Sequence, residues 1–344
     1  MAQVGQVRQS GAGGESAGRA RVERLLPPIV GGLLLMFALI GFIGTAIRDP
    51  HPHDIAVGLV GPAPAVQQIA AAFGANAPGA FRFTTYGSEA DGNFALDSRA
   101  VDGVLILGAG NPRLIIAGAA GDATTGVITA ALTNVFKAQG GTLAVEIVHP
   151  FASGDAHGLI LFFVVVAVLV CSLVVQALVL ARSAAAGFAE RLGVVFGFAV
   201  LAGLVGMGTA AWIAGGYGDG FWLAAGLVSL ASAAVGAVVA GLVRLIGPPG
   251  LGVAGLGVVL LGLVTSGGPV GSHLLPDIYR ALEPWMPAGP LYGALGGALY
   301  FNGEGIAGPA LLLTGWLATG LVLMWLGEMR AAGRARAAST EPAH

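Results

Sequence analysis

The sequence predicts an α-helical integral membrane protein with six transmembrane helices and an α/β extracytoplasmic domain inserted between helices 1 and 2. Three observations predict it. Of 344 residues, 56% are hydrophobic and only 10% charged, and the mean hydropathy is +0.83, outside the range of soluble globular domains. Uncharged apolar runs of bilayer length recur along the chain. After the first of them, apolar positions alternate and then repeat at helical spacing, the texture of a packed α/β layer.

Residues 1–28 form a polar, Gly/Ser/Ala/Arg-rich tail expected to be disordered, apart from a short basic helix at "ARVERLL". Residues 29–47 are the first span, just long enough for a hydrocarbon core of roughly 30 Å. A cleaved signal peptide with "GTA" at 44–46 is the competing reading. The long charged leader, and an apolar run beyond the usual h-region of about 7–15 residues, favour an uncleaved helix.

Residues 48–156 read as the α/β domain, in the order βαβαββαβ with the second helix the weakest signal. "IAVGLVG" (55–61) is a buried strand, and Val66, Ile69, Ala70 and Phe73 form one apolar helix stripe. "FRFTTYG" alternates as a strand, and "VDGVLIL" and "RLIIAGA" are two strands joined by a turn at Gly108–Pro112. "DATTGVITAALTNVFKAQGG" is a helix with Asp122 or Thr124 as N-cap, a stripe through Ile128, Leu132 and Val135, and a stop at Gly140. "LAVEIV" closes the domain.

Residues 157–327 hold five further spans, at 157–181, 192–214, 221–246, 250–270 and 306–327, before a tail at 328–344. With the N-terminus inside, one side of the membrane carries Arg8, Arg19, Arg21, Arg24, Arg182, Arg191, Arg244, Arg330, Arg334 and Arg336. The short segments opposite carry only Arg48 and Arg280. The positive-inside rule then places both termini in the cytoplasm, in a multi-pass protein of the cell membrane.

The stretch "LLPDIYRALEPWMPAGPLYGAL" (274–295) is unusual for a connection. Pro276 suits a helix start and Asp277 its positive end. Leu275, Ile278, Leu282 and Trp285 form one apolar face, with Arg280 and Glu283 on another. Pro284, Pro287 and Pro290 forbid continuation. A second short helix then presents Leu291, Leu295, Ala298 and Leu299 as its apolar residues, with Tyr292 and Tyr300 suited to the headgroup zone. The prediction is a helix–break–helix hairpin at 274–301 that caps or re-enters the outer leaflet.

Several function classes are excluded or unsupported. A net charge of −2 offers no basic surface for nucleic acid. Cys171 is the lone cysteine, so there is no disulfide framework and no structural zinc site. No GxxxxGK[ST] occurs and Lys137 is the only lysine, so ATP chemistry must come from another chain. The span cores carry no Asp, Glu, Lys or Arg, with Arg244 and Glu328 at an edge, which argues against a proton-coupled carrier. Small-xxx-small pairs (Gly193/Gly197, Ala199/Gly203, Ala202/Gly206, Gly250/Ala254) allow close helix packing without locating it. His51, His53 and Asp54 in "HPHD" lack a further metal ligand and read as a solvated linker. His273 and Asp277 lack a nucleophile or oxyanion hole to serve. No cofactor and no enzymatic activity are expected.

The block "SGGPVGSHLLPDIYRALEPWMPAGPLYGALGGALYFNG" (266–303), with "AVGLVG" and "VDGVLIL" between the first two spans, resembles the ABC-2-type transporter permeases, in particular the YhgE/Pip-like branch with a large outer domain. Relatives there often carry Arg where this chain has Gly296. The resemblance implies a permease that pairs as a homodimer or heterodimer, works with a separate ATPase, and moves an amphipathic or lipid-like substrate outward by alternating access. It also implies a coupling turn at "RSAAAGFAERLG" (182–193), with Arg182, Glu190 and Arg191 toward the ATPase, and an outer gate at Pro276, Asp277, Arg280, Trp285, Pro287, Pro290 and Tyr292. The alternative is a non-transporting surface receptor or envelope scaffold that uses the α/β region.

Overall fold

The computed structural model describes residues 26, 30–108, 110–183 and 186–339, the side chains of 269 and 335–339 excepted. The expected N-terminal basic helix lies almost wholly outside them. The described residues divide into two units, up to Thr45 and from Ala46 onward. The chain is mostly helical, and among the described residues five helices are long and apolar enough to cross a membrane, as in a multi-pass membrane protein.

Helix α1 (Val30–Ile47) is the first of these. The next elements come in the predicted order: β1 (Ile55–Val60), α2 (Ala63–Asn76), β2 (Phe81–Tyr86), α3 (Glu89–Asp97), β3 (Gly103–Ile106), β4 (Arg113–Ala117), α4 (Asp122–Ala138) and β5 (Ala144–Val148). They build a five-stranded sheet of order β2-β1-β3-β4-β5. Neighbours run parallel except β3 and β4, whose short connection forces an antiparallel register with Gly103 opposite Ile116.

Both faces of the sheet are covered, which is why β1 reads as an unbroken apolar run. Ile55, Val57 and Leu59 join Val66, Ile69 and Phe73 of α2 and Ile128, Leu132 and Phe136 of α4 in one cluster. Ala56, Val60 and Val104 meet Ala95 and Leu96 of α3 in the other. That second cluster also contains Phe301, far along the chain. The weakest predicted helix, α3, is held at its start by Ser88, whose hydroxyl accepts from the Asp91 amide at 3.1 Å. Neither residue expected to cap α4 does so: the cap position is Gly121, at φ +127°, and Asp122 is the first helical residue.

Four more long helices follow: α5 (Leu159–Arg182), α6 (Phe188–Ala214), α7 (Phe221–Ile246) and α11 (Ala307–Ser339). Between the last two lie α8 (Pro249–Thr265), α9 (Asp277–Leu282) and α10 (Ala288–Tyr300). The predicted span at 250–270 is therefore a helix of only 17 residues, with a π turn over Gly255–Leu260, and it rises about 25 Å. Its chain leaves the helix at Ser266 because Gly267 and Gly268 take positive φ (+72° and +48°).

Helix α7 is the buried centre. At its seam with α11, a Cβ on Gly320 would lie 2.5 Å from the Val238 backbone nitrogen, and one on Gly241 would lie 2.5 Å from Leu323 Cβ. Among the predicted small-residue pairs, Gly203 and Gly250 sit against neighbouring backbone, whereas Gly193 and Gly197 face open space. Ser172 of α5 and Ser232 of α7 share a buried hydrogen bond of 3.0 Å.

Two short helices flank a break at 283–287, with Pro284 and Pro290 in first turns and Pro276 and Pro287 at N-cap positions, where an absent amide costs nothing. Pro287 is buried, and Met286 before it is extended (ψ 151°). The packed face of α9 differs in part from the predicted one: Leu275 is buried as expected, but Tyr279 is buried too, while Ile278 and Trp285 are 68% and 69% exposed. A helix of six residues is too short for a stripe, and its inward side is set by packing against the end of α8 and the turns on either side of it. Leu291, Leu295 and Ala298 of α10 are buried as expected.

Candidate functional site

The sheet stands on the hairpin by the starts of β1 and β3 and the end of β4. At the opposite edge Gly61 has no room for a side chain against the Leu107 carbonyl. The ionisable side chains converge at the hairpin edge.

Three ties hold sheet and hairpin together. Arg280 donates to Asp54 at 2.8 Å and to Asp277 at 3.2 Å, and its guanidinium holds the Asp54 carboxyl below the usual carboxylate range. The His53 amide donates to the His273 carbonyl, and His273 Nδ1 donates to the His53 carbonyl, both at 2.9 Å. "HPHD" is thus a docking strip, and no group of three or more potential metal ligands gathers among the described residues.

The third tie is Arg99, a residue without sequence signal. It sits at φ +61° at the end of α3, and Nη1 donates to Gly293 O of α10 at 2.8 Å and to Glu304 O at 3.5 Å. Its guanidinium lies 5.1 Å from the centre of the Phe301 ring, whose neighbour at 4.8 Å is the His149 ring. A Cβ on Gly297 would come 2.9 Å from Nη1, so glycine makes the cradle.

Around these ties lie two joined spaces. A polar chamber of about 250 Å³ is bounded by Arg99, Asp102, Asp122, His157, His273, Glu283 and Tyr292. A groove of about 1040 Å³ runs between the hairpin and α11, walled by Trp285, Pro290, Leu311, Leu312 and Trp316. Arg99, Glu283, Gly289 and Gly293 line both. Trp316 is held in place by donating Nε1–H to the Trp285 carbonyl at 3.0 Å. Gly289 has no side chain because the Glu283 carboxyl occupies that space. One end of the composite site is therefore charged and the other apolar.

Burial raises the carboxyl pKa of both Asp102 and Glu283 above the ordinary value, opposed by the nearby His273 ring. Because a carbonyl can only accept, His273 carries a proton on Nδ1. Raised carboxyls bind protons more tightly folded than unfolded, so their contribution to stability falls as pH rises from the unfolded value toward the folded one. Asp102→Asn removes its share. In thermal melts its Tm relative to wild type should climb between pH 4 and pH 7; a flat or falling difference would refute the buried-acid assignment.

Of the predicted gate residues, Trp285 and Pro290 border the groove, Tyr292 borders the chamber and donates to Gly158 O at 3.3 Å, and Pro276, Asp277, Arg280 and Pro287 shape or anchor the hairpin. Tyr300, expected among headgroups, instead accepts from the Ala152 amide at 3.4 Å. In the 182–193 turn, Arg182 and Glu190 are exposed, and Glu190 accepts from the Gly187 amide at 3.0 Å. Arg191, expected to be exposed, is buried at 4% and donates Nε–H to Ala186 O at 3.0 Å, because it lies on the side of α6 turned to the bundle.

Fold and site together define a class: a multi-pass helical membrane protein carrying an amphipathic cavity under a mixed sheet. Compared with known proteins, the chain matches no family model, no curated protein and no solved structure.

Proposed function

We propose that the chain is the permease subunit of an ABC-2-type exporter of the YhgE/Pip-like kind, moving an amphipathic, lipid-like substrate outward. The observation that supports this best is the shared lining of groove and chamber by Arg99, Glu283, Gly289 and Gly293, which lets one ligand place a polar head and an apolar tail at once. In this reading the sheet lies outside the cell, α8 is the sixth crossing, both termini are cytoplasmic, and a second permease copy completes the path. A separate ATPase acts on the 182–193 turn, in keeping with the missing phosphate-binding loop. Substrate enters the groove beside α11 and leaves past the proline-broken hairpin when the helices rearrange.

Vesicles containing the protein and an ATPase recovered by gentle co-purification should move a fluorescent single-chain amphiphile when ATP is added. Trp316→Ala removes one groove wall and is expected to weaken that amphiphile's binding about 5- to 10-fold, the loss of one well-packed indole. Failure to recover any ATPase, together with an unchanged Trp316→Ala affinity, would remove both supports.

A receptor or scaffold reading is favoured by β5, an edge strand whose Val145 and Ile147 are 41% and 60% exposed. Deleting residues 50–155 does not separate the two readings cleanly, because the sheet shares its second core with Phe301. Ile147→Glu is the cleaner probe: it abolishes partner capture by a receptor and leaves amphiphile movement by a permease intact.

A further inference from the structure

At the end of the bundle remote from the sheet, the C-terminus of α7, the first turn of α6 and the last third of α11 enclose a recess of about 280 Å³. Three arginines reach it, Arg191, Arg244 and Arg334, and no acid is among the described residues lining it. Beside it, Glu328 accepts from Arg244 Nε at 2.9 Å. Arg191 lies close enough to Arg244 and Glu328 to feel both charges. Positive charge at the ends of spans is ordinary. Convergence of three guanidiniums on one recess is different, because like charges held together cost energy unless an anion joins them.

The remaining wall is apolar. Leu180, Val243 and Ile246 line it, and Ile246 is 47% exposed, so the surface runs from the arginines onto the flank of the bundle. A soluble phosphate or nucleotide would leave that wall wet; a ligand with an acyl chain covers it.

We propose that this recess binds the phosphate of an anionic membrane phospholipid, with Arg244 and Arg334 as its donors and Arg191 behind them. The planar guanidinium fork grips two phosphate oxygens at once, and the chain of the lipid lies against Ile246. The site is independent of the exporter reading.

Native mass spectrometry of the full-length protein in mild detergent, titrated with phosphatidylglycerol or phosphatidylcholine, tests this. Wild type should retain phosphatidylglycerol in preference, and Arg334→Gln should lower its affinity roughly 3- to 10-fold, the worth of about one cationic contact at a membrane surface. Arg330→Gln is the control: Arg330 is exposed, one turn away on the same helix and outside the recess, so its loss should change little. The double variant Arg244→Gln/Glu328→Gln removes a donor without stranding its acid, and should lose most of the preference; if it does not fold, the Arg334 and Arg330 variants still decide. Equal losses in those two, or equal retention of the two lipids, overturn the proposal. So does inorganic phosphate binding that depends on Arg334 in lipid-free protein, which would assign the recess to a soluble anion.

Discussion

Gly320→Val is expected to destabilise the protein by about 3 kcal/mol or more, the upper end of overpacking effects. Valine at Gly320 has nowhere to go: the first added carbon already lies 2.5 Å from Val238 N and 2.6 Å from Ala237 C, both backbone atoms of α7. A clash with a side-chain tip is relieved by a rotamer change, whereas a clash with backbone is relieved only by pushing two helices apart along the seam. Gly241 and Gly327 face the same seam, each with under 3 Å available, so the separation spreads along its length. The measurement is the monodisperse fraction and the thermal midpoint in detergent. Gly315→Val is the matched control, since open space surrounds its missing Cβ, and a shift within about 0.5 kcal/mol is expected there. Equal losses for the two would mean that helix propensity alone is responsible and the seam is misassigned.

Arg99→Ala is expected to cost about 3–4 kcal/mol and to loosen the sheet from the hairpin. The variant abandons the Gly293 and Glu304 carbonyls and the Phe301 ring, and leaves Asp102 without its opposing charge. Two checks tie the loss to this mechanism. Arg99→Lys should recover little, because one ammonium cannot lie flat on Phe301 and serve two carbonyls. Arg99→Ala/Asp102→Asn should recover part of the stability, because the stranded carboxyl is gone. Proteolysis should report the change first between residues 266 and 306. A thermal midpoint equal to wild type in Arg99→Ala would show that the sheet does not depend on this tie.

Neither variant would have been chosen from the sequence. Periodicity made the order of strands and helices between 55 and 148 legible, together with the α4 stripe through Ile128 and Leu132, because alternation and helical spacing report which side of an element is covered. They do not report by what. Arg99 lies in "DSRAVD", 194 residues from the Gly293 carbonyl it serves, and a lone arginine in a loop has no period. Asp102 sits at the mouth of an apolar strand and Glu283 beside a proline, so each reads as punctuation. "HPHD" carries metal-ligand side chains, yet its role is mostly backbone pairing with a segment 220 residues on. The packed face of α9 is not legible in the sequence for a related reason: in two turns, tertiary contact outweighs spacing.

The hairpin is fastened to the sheet by Arg280, by the His53–His273 exchange and by Arg99, and Phe301 lies in the sheet's own core. Such fastening turns the sheet into a lever whose short arm is the groove wall. Widening the groove between α10 and α11 must swing β5, at the free margin, through a larger arc. A rigid binder clamped on that margin would therefore resist widening of a groove it never touches.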